Sequence, residues 1–517
     1  VTNSDKLGDL LRGIPGASLQ GDPKTLVTGI SCDSRRIARG DLFAAIPGAK
    51  ADGAAYIPQA LAAGAAAVLT AKPIALPAPT IVAPDVRLVM GCLAARLFDH
   101  PDHRVEILAV TGTNGKTTIT YLLESILAAA GLRPAVIGTV NYRFGSRVHP
   151  SENTTPESLD ILRMVAEMEE RGATHVILEV SSHALHQRRV SGLRLRRAIF
   201  TNLTRDHLDY HRDLEDYFQA KRSLFSEVIA GKWACDAPVA DLPPLAVLNL
   251  DNESGRRLMS ELGALSIPRR SFGLARLADV RAKDVESSRA GIKATVISPE
   301  GRLQLHSPLV GAHNLENILA AVALTLAMGI DKEAVEAGVA ALARVPGRLE
   351  PVANAEGFDI LVDYAHTPDA LAHAVATCRD LKPNRLIAVF GCGGDRDRGK
   401  RPVMGRIAVE SCDFTVVTSD NPRTEDPLAI VAEILAGIEG LPARRLEPGE
   451  RPAPGEKAYL VEPDRRAAIR AAVRAAAAGD LILIAGKGHE DYQLLRSGKI
   501  HFDDREEAAK ALKERNS

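Results

Sequence analysis

The stretch Glu106-Ile-Leu-Ala-Val-Thr-Gly-Thr-Asn-Gly-Lys-Thr-Thr118 decides how this chain is read. Its apolar opening, Glu106–Val110, predicts a buried parallel strand. Thr118–Ala130 predicts a helix that Gly131 can end. Between them lie two glycines and a Gly-Lys-Thr triplet, the strand–loop–helix setting of a phosphate-binding loop. Glycines let backbone N–H groups approach phosphate oxygens, and the helix N-terminus adds positive potential. Gly112, Thr113, Asn114, Gly115 and Thr118 would then surround the phosphates of ATP. Lys116 would neutralise the β- and γ-phosphates, and the Thr117 hydroxyl would ligate Mg²⁺. The strict G-x-x-x-x-G-K-[ST] spacing is not met, because Val110 stands at the first glycine position.

Working outward, His175–Val180, Ala198–Thr201 and Leu245–Leu248 predict further buried strands. Strands alternating with helices predict a doubly wound, mostly parallel sheet. Glu179 closes one strand, where an acidic side chain is costly to bury unless it holds a cation or hydrogen bonds. It is expected opposite the loop as a Mg²⁺ ligand. His207 follows the next strand, inside the polar cluster Thr201–His211. This central α/β unit is expected over residues 103–346, ending at the turn-rich Val345-Pro-Gly-Arg348.

Residues 1–102 carry the short runs Asp41–Ile46, Ala65–Leu69 and Thr80–Val82 between Ala-rich stretches, which predicts a small α/β domain. Phe98-Asp-His-Pro-Asp-His103 punctuates its end. Residues 347–517 repeat the strand–helix pattern as a Rossmann-like α/β domain. There Arg385–Phe390, Phe414–Thr418 and Leu481–Ala485 each run into a loop rich in Gly, Asp, Asn or Pro. Ligands of open α/β sheets bind beyond the carboxyl ends of the strands, so these three loops are expected to line one site.

Bulk properties narrow the function classes. A chain of 517 residues exceeds one core and predicts two to four domains. A formal net charge of −1 offers no broad basic surface and no argument for nucleic acid. No apolar stretch approaches the length of a membrane span. The polar opening Val1-Thr-Asn-Ser-Asp-Lys lacks the apolar region of a secretory signal. Six cysteines are scattered without a C-x-x-C pair, which argues against a disulfide framework or a zinc site and for a reducing cytoplasm.

With these motifs on the page, the chain resembles the Mur ligases of peptidoglycan synthesis over essentially its whole length and in that family's three-domain order. The likeness rests on the loop Thr111–Thr118, Leu178-Glu-Val-Ser-Ser-His183 and Asn202-Leu-Thr-Arg-Asp-His207. It continues in Gly311-Ala-His-Asn-Leu-Glu-Asn317, Pro346-Gly-Arg348 and Asp363-Tyr-Ala-His-Thr-Pro368. It accounts for the missing glycine, since this family uses the shorter loop. The resemblance implies that Asn314, Asn317 and Arg348 face the nucleotide. It also implies that Lys221 reacts with CO₂ to form a carbamate near Mg²⁺, and that Lys116, Glu179, His207 and Lys221 are the catalytic group. No periodicity or spacing singles out Lys221; it enters only through the resemblance. Ser34, Asn153, Thr154, Thr155, Ser181, Gln187 and Arg189 are implied to hold a UDP-MurNAc-dipeptide.

Within the family the chain is similar to the members that add the third residue of the peptide stem. The segments that say so are Asp33-Ser-Arg35, Asn153-Thr-Thr-Pro156, Gly393–Arg401, Asp420-Asn-Pro-Arg423 and Gly486-Lys-Gly-His-Glu490. The Asp-Asn-Pro-Arg loop implies meso-diaminopimelate rather than L-lysine as the added amino acid. Diaminopimelate carries an ammonium and a carboxylate at its distal carbon, whereas lysine carries only the ammonium. A guanidinium grips that carboxylate through a planar pair and would face a bare cation in lysine. The implied amino-acid site comprises Arg396, Asp420, Asn421, Pro422, Arg423, Gly486 and Glu490. The expectation is therefore a monomeric cytoplasmic ligase that works through an acyl phosphate and closes its last two domains before chemistry. The rivals are the same reaction with lysine, a folylpolyglutamate-synthetase-like ligase, and a nucleotide-binding regulator without catalysis.

Overall fold

Three open sheets organise the chain, and each has a parallel interior. They are seen in a computed structural model that describes residues 5–48, 52–235, 243–453 and 455–515. The first sheet runs Ser18–Gln20, Thr80–Val82, Ala67–Thr70, Asp41–Ala44, Gly29–Ser31. Only its outermost pair is antiparallel.

The largest sheet has eleven strands. Its parallel centre is Pro134–Ile137, His175–Glu179, Glu106–Thr111, Leu195–Phe200, Leu245–Asn249 and Arg269–Gly273, in that spatial order. Antiparallel ribbons extend both edges: Asn141–Phe144 with Arg147–Pro150 on one side, and Val280–Ser288, Gly291–Ser298 and Gly301–Ser307 on the other. These ribbons lie outside the strands read from the sequence. Gly301–Ser307 alternates exposed and buried residues and Val280–Ser288 and Arg147–Pro150 are largely exposed, so the ribbons lack the continuous apolar runs that mark the central strands.

The phosphate-loop helix is Lys116–Ala129, and it begins where Gly115 takes φ +88°. Ile119, Leu122, Leu123, Ile126 and Leu127 form the buried stripe at i, i+3, i+4, i+7 and i+8 that an amphipathic helix needs. Full burial of such a side chain contributes roughly 1.5–3 kcal/mol. The neighbouring helix Lys332–Ala341 packs so closely that a Cβ on Gly338 would stand 2.4 Å from Ile126 Cα. Any side chain there would push this helix off its seat.

The third sheet orders its parallel strands Asp359–Asp363, Leu481–Ala485, Leu386–Phe390, Phe414–Val417, Ala458–Val461 and Arg444–Leu446. The three strands singled out in the sequence are thus adjacent, and their carboxyl ends share one edge. This sheet's unit lies against the phosphate loop: Asn114 Nδ2 donates to Asp369 at 3.0 Å, and Arg348 donates to the Thr117 hydroxyl at 3.2 Å.

One expectation is overturned. Cys92 and Cys235, 143 residues apart, are disulfide-bonded. Short-range spacing cannot reveal such a pair, because it forms only when the helix Val86–Leu97 packs beside the chain leaving the turn at Leu224–Val228. Cys32, Cys378, Cys392 and Cys412 are free. Of residues 230–243, given no role on sequence grounds, 236–242 lie outside the described residues. Among the described residues no helix is long and apolar enough to cross a membrane.

Candidate active site

Two lysines meet at one backbone oxygen. Lys116 Nζ donates to the carbonyls of Gly112 and Thr113, and Lys221 Nζ donates to the same Gly112 carbonyl, each at 2.9 Å. Lys221 is 1% exposed and reaches the loop from the helix Leu214–Ser223. Burial lowers both lysines, and the charge of Lys116 pushes Lys221 further down, well below the ordinary lysine range. A lysine in that condition gives up its proton more readily than an exposed one, which favours the nucleophilic amine. The loop cannot tolerate bulk: a Cβ on Gly112 would collide with the Thr201 hydroxyl, and one on Gly115 with Asn317.

Glu179 is 1% exposed, at the end of its strand. Its carboxylate accepts from the Thr117 hydroxyl at 3.2 Å, the Thr139 hydroxyl at 2.8 Å and the Thr139 amide at 3.1 Å. All three donors are neutral hydroxyl or amide groups, so none of them offsets a carboxylate charge. A buried carboxylate touching the loop threonine suits a divalent cation. His207 sits in the left-handed region at φ 54°, its ring edge-on to His183 and 3.3 Å from Asp206. Burial, together with His183, Lys116 and Lys221, lowers it to about 4 and keeps it neutral, the form a metal ligand requires. Burial pushes Asp206 up, but His207, His366 and Lys116 outweigh it and hold its pKa low.

Beside the loop opens a cavity of about 290 Å³ lined by Asn114, Gly115, Thr118, Asn317 and Arg348. Asn314 stays outside it and orients Asn317, accepting from its amide at 3.1 Å. The sequence reading missed the opposite wall: Asn249, Asp251, Phe272, His313, Glu316 and His373. Asn249 ends a strand just as Glu179 does, and the same strand-end rule would have found it.

Four of the residues assigned to the UDP-linked substrate form one hydrogen-bonded group. Arg189 donates to the Thr155 carbonyl and the Gln187 side chain, and the Thr155 hydroxyl accepts from the Ser181 amide at 3.0 Å. Thr154 reaches the carboxylate of Glu179 through Thr139. Asn153 is held by its backbone on the Tyr142 hydroxyl. Ser34 stands apart, on the first sheet's unit, bonded to Gln59 at 3.0 Å.

The three strand-end loops of the last sheet converge as expected. Asn421 Nδ2 donates to Glu490 at 2.8 Å. Arg423, at φ 53°, donates to the Gly394 carbonyl at 2.8 Å. Pro422 is buried, and its carbonyl is so close to Gly394 that a Cβ there would stand 2.0 Å away. Asp420 is 6% exposed, with Gly486 beside it. Arg396 is exposed and donates to the carbonyl of Asp395 at 3.1 Å. Missed in the sequence were three fully buried cations that frame this edge: Arg401 on Glu425 and Glu433, Arg465 on Asp504, and Lys487 on Glu490. Charge on an otherwise ordinary helix or loop residue carries no sequence signal of its burial.

This arrangement of a phosphate loop, a buried carboxylate beside it and a third α/β unit docked on the loop has known counterparts. The chain matches the Mur ligase family catalytic domain at residues 26–97, the Mur ligase middle domain at 110–325 and the Mur ligase glutamate ligase domain at 347–488. It belongs to the Mur ligase family. A relative from Geobacter metallireducens named UDP-N-acetylmuramoyl-L-alanyl-D-glutamate--2,6-diaminopimelate ligase is 47% identical, covering 99% of both chains. A protein of the same name from Solibacter usitatus is 46% identical over 95% of this chain and 94% of its own. A solved structure of such a ligase superposes with a TM-score of 0.71 at 34% identity, each chain fully covered. A folylpolyglutamate synthase from Mycobacterium tuberculosis shares the fold at 17% identity over 77% of this chain, with a TM-score of 0.59.

Proposed function

We propose that this chain is the ATP-dependent ligase that joins meso-2,6-diaminopimelate to UDP-N-acetylmuramoyl-L-alanyl-D-glutamate in peptidoglycan synthesis, releasing ADP and phosphate. The observation that carries it is the meeting of Asn421, Arg423 and Glu490 at one strand edge, in a chain matched end to end by ligases named for diaminopimelate. Arg423 receives the distal carboxylate, and Glu490 the distal ammonium. Asp420, Asn421, Pro422, Gly486 and the exposed Arg396 complete the cradle. The geometry gives no comparable use for Arg423 with lysine.

A carboxylate is a poor acyl donor, so the terminal D-glutamate carboxylate first attacks the γ-phosphorus of ATP. The β–γ bond breaks, and ADP departs. The diaminopimelate amine then attacks the acyl carbon and loses its proton, and the tetrahedral intermediate collapses by expelling phosphate. Lys116 and Arg348 face the transferring phosphoryl group and neutralise its charge. Thr155, Ser181, Gln187 and Arg189, with Ser34 on the first unit, position the UDP-linked substrate. Thr117, Glu179, His207 and a carbamate of Lys221 would hold Mg²⁺, which supplies further charge neutralisation. The neutral amine of Lys221 adds to CO₂ and releases a proton to make that carbamate. The three units carry the UDP-linked substrate (1–102), ATP (103–346) and the amino acid (347–517). The enzyme works as a monomer in the cytoplasm, where its nucleotide-linked substrate resides; the cysteines no longer argue for that compartment, because Cys92 and Cys235 are paired.

Phosphate release should require ATP, the UDP-MurNAc-dipeptide and diaminopimelate together. Release without the dipeptide, or with lysine as readily as diaminopimelate, would overturn the assignment.

A further inference from the structure

The loop after the strand Leu481–Ala485 hides a lysine. Gly486 at φ +121° and Gly488 at φ +53° bend the backbone on either side of Lys487, and the bend turns its side chain inward. A Cβ on Gly488 would stand 2.7 Å from Tyr364, so only glycine fits this side of the bend. Lys487 is 0% exposed. Its Nζ donates to Glu490 Oε2 at 3.1 Å and to Asn421 Oδ1 at 3.2 Å, and lies 3.9 Å from Asp420 Oδ1. That Asp420 oxygen is buried and accepts no hydrogen bond.

We propose that Lys487 is a positioning residue for the amino-acid pocket: its ammonium is the fixed counterion that lets Asp420 and Glu490 share one buried site with a single uncompensated negative charge. The inference rests on the diaminopimelate reading above and deepens it. Asp420 and Glu490 contribute two negative charges and Lys487 one positive. Arg465 nearby is already matched by Asp504, bonded through both carboxylate oxygens at 2.7 Å. One charge is left to attract the distal ammonium, and the orphaned Asp420 oxygen is an acceptor waiting for its donor. Lys487 also fixes Asn421. The Asn421 carbonyl oxygen accepts from Lys487 and from the Leu494 amide, which turns its Nδ2 toward Glu490.

Removing the counterion has a signed consequence. Burial raises Glu490, and Lys487 is the principal charge that holds it down. Asp420 opposes; Arg465, the phenols of Tyr364 and Tyr492, and the Asn421 amide complete the groups that face it. Without Lys487 the Glu490 pKa rises further, so the carboxyl is protonated over more of the acidic side of the range and binds an ammonium less well there. The defect is largest at low pH and fades as pH rises through the new Glu490 pKa.

Steady-state kinetics of Lys487→Met from pH 6.5 to 9 tests this. KM for diaminopimelate should rise at least tenfold at pH 7 and recover toward pH 9, with KM for ATP and the dipeptide within twofold of wild type. Lys487→Arg, which keeps the charge, should shift KM for diaminopimelate without the pH dependence. For Lys487→Met, equal changes in all three KM values, a loss confined to kcat, or a pH-independent shift would overturn the proposal. If circular dichroism finds Lys487→Met unfolded, the Arg variant decides: a pH-dependent KM despite the retained charge refutes the counterion role. Failure of the diaminopimelate reading looks different, because wild type would then not use that amino acid.

Discussion

At the phosphate loop the buried cations rest on backbone carbonyls, whereas around the amino-acid pocket they rest on carboxylates. Lys116 and Lys221 share the Gly112 oxygen, and burial drives both toward neutrality. Lys487, Arg401 and Arg465 each meet one or two carboxylates. A carbonyl offers only a partial charge, so the first region is electrostatically incomplete and gains most when a polyanion arrives. The second is a closed framework of matched charges that leaves a selected few groups available. On the proposed function, one region is built to be filled by ATP and the other to hold its shape and discriminate.

The sharpest way to break that contrast is to remove the charge that waits for phosphate. Lys116→Ala should lower kcat by about 10²–10³-fold, the scale for deleting a preorganised group that meets transition-state charge. The fold should survive, since Lys116 leaves only carbonyls behind. Phosphate release and thermal melting measure the two halves. Retained activity would dismiss the loop, and a collapsed fold would mean its lysine is structural after all.

The matched framework predicts the reverse, a large effect on stability. Arg465→Met leaves Asp504 fully buried without its partner and should cost about 3–5 kcal/mol. Arg465→Met combined with Asp504→Leu should recover most of it, because two apolar groups of similar volume replace a pair that was costly to desolvate. Denaturant unfolding of both variants checks the order. A double variant as unstable as the single would show that Arg465 matters through the Ser419 and Ala485 carbonyls instead.

The two regions also differ in how legible they were. The phosphate loop is contiguous, so a strand, two glycines and a helix announce it, and Glu179 follows from the cost of a carboxylate at a strand end. Lys221 comes from a distant segment and carries no local pattern, so only family resemblance reached it; on the far wall of the cavity Asn249 sits at a strand end, where the rule that found Glu179 applies. In the last unit three strand-end loops were expected to converge, and they do. Lys487 was quoted within the Gly-Lys-Gly-His-Glu segment, yet its burial depends on two positive-φ glycines and on Tyr364 packed against them. The antiparallel ribbons and the Cys92–Cys235 pair escaped for the same reason: their partners are set by packing, and periodicity does not encode them.

The finest distinction lies inside the amino-acid pocket, between two arginines of the same charge. Arg423 has its backbone fixed by a hydrogen bond to Leu494 and its guanidinium by the Gly394 carbonyl. Arg396 is exposed and must be ordered when substrate binds. Ordering a long side chain costs about 0.5–1.5 kcal/mol, which subtracts from whatever its ion pair contributes. A hydrogen bond to a charged partner from a fixed group is worth about 1.5–3 kcal/mol, or roughly 10–100-fold. Arg423→Ala should therefore raise KM for diaminopimelate by about that factor, while Arg396→Ala should raise it only about two- to tenfold. Neither should move KM for ATP. Titrating diaminopimelate against both variants at saturating ATP and dipeptide gives the ranking, and a larger effect from Arg396 would mean the exposed side chain folds over the bound amino acid and becomes the dominant grip.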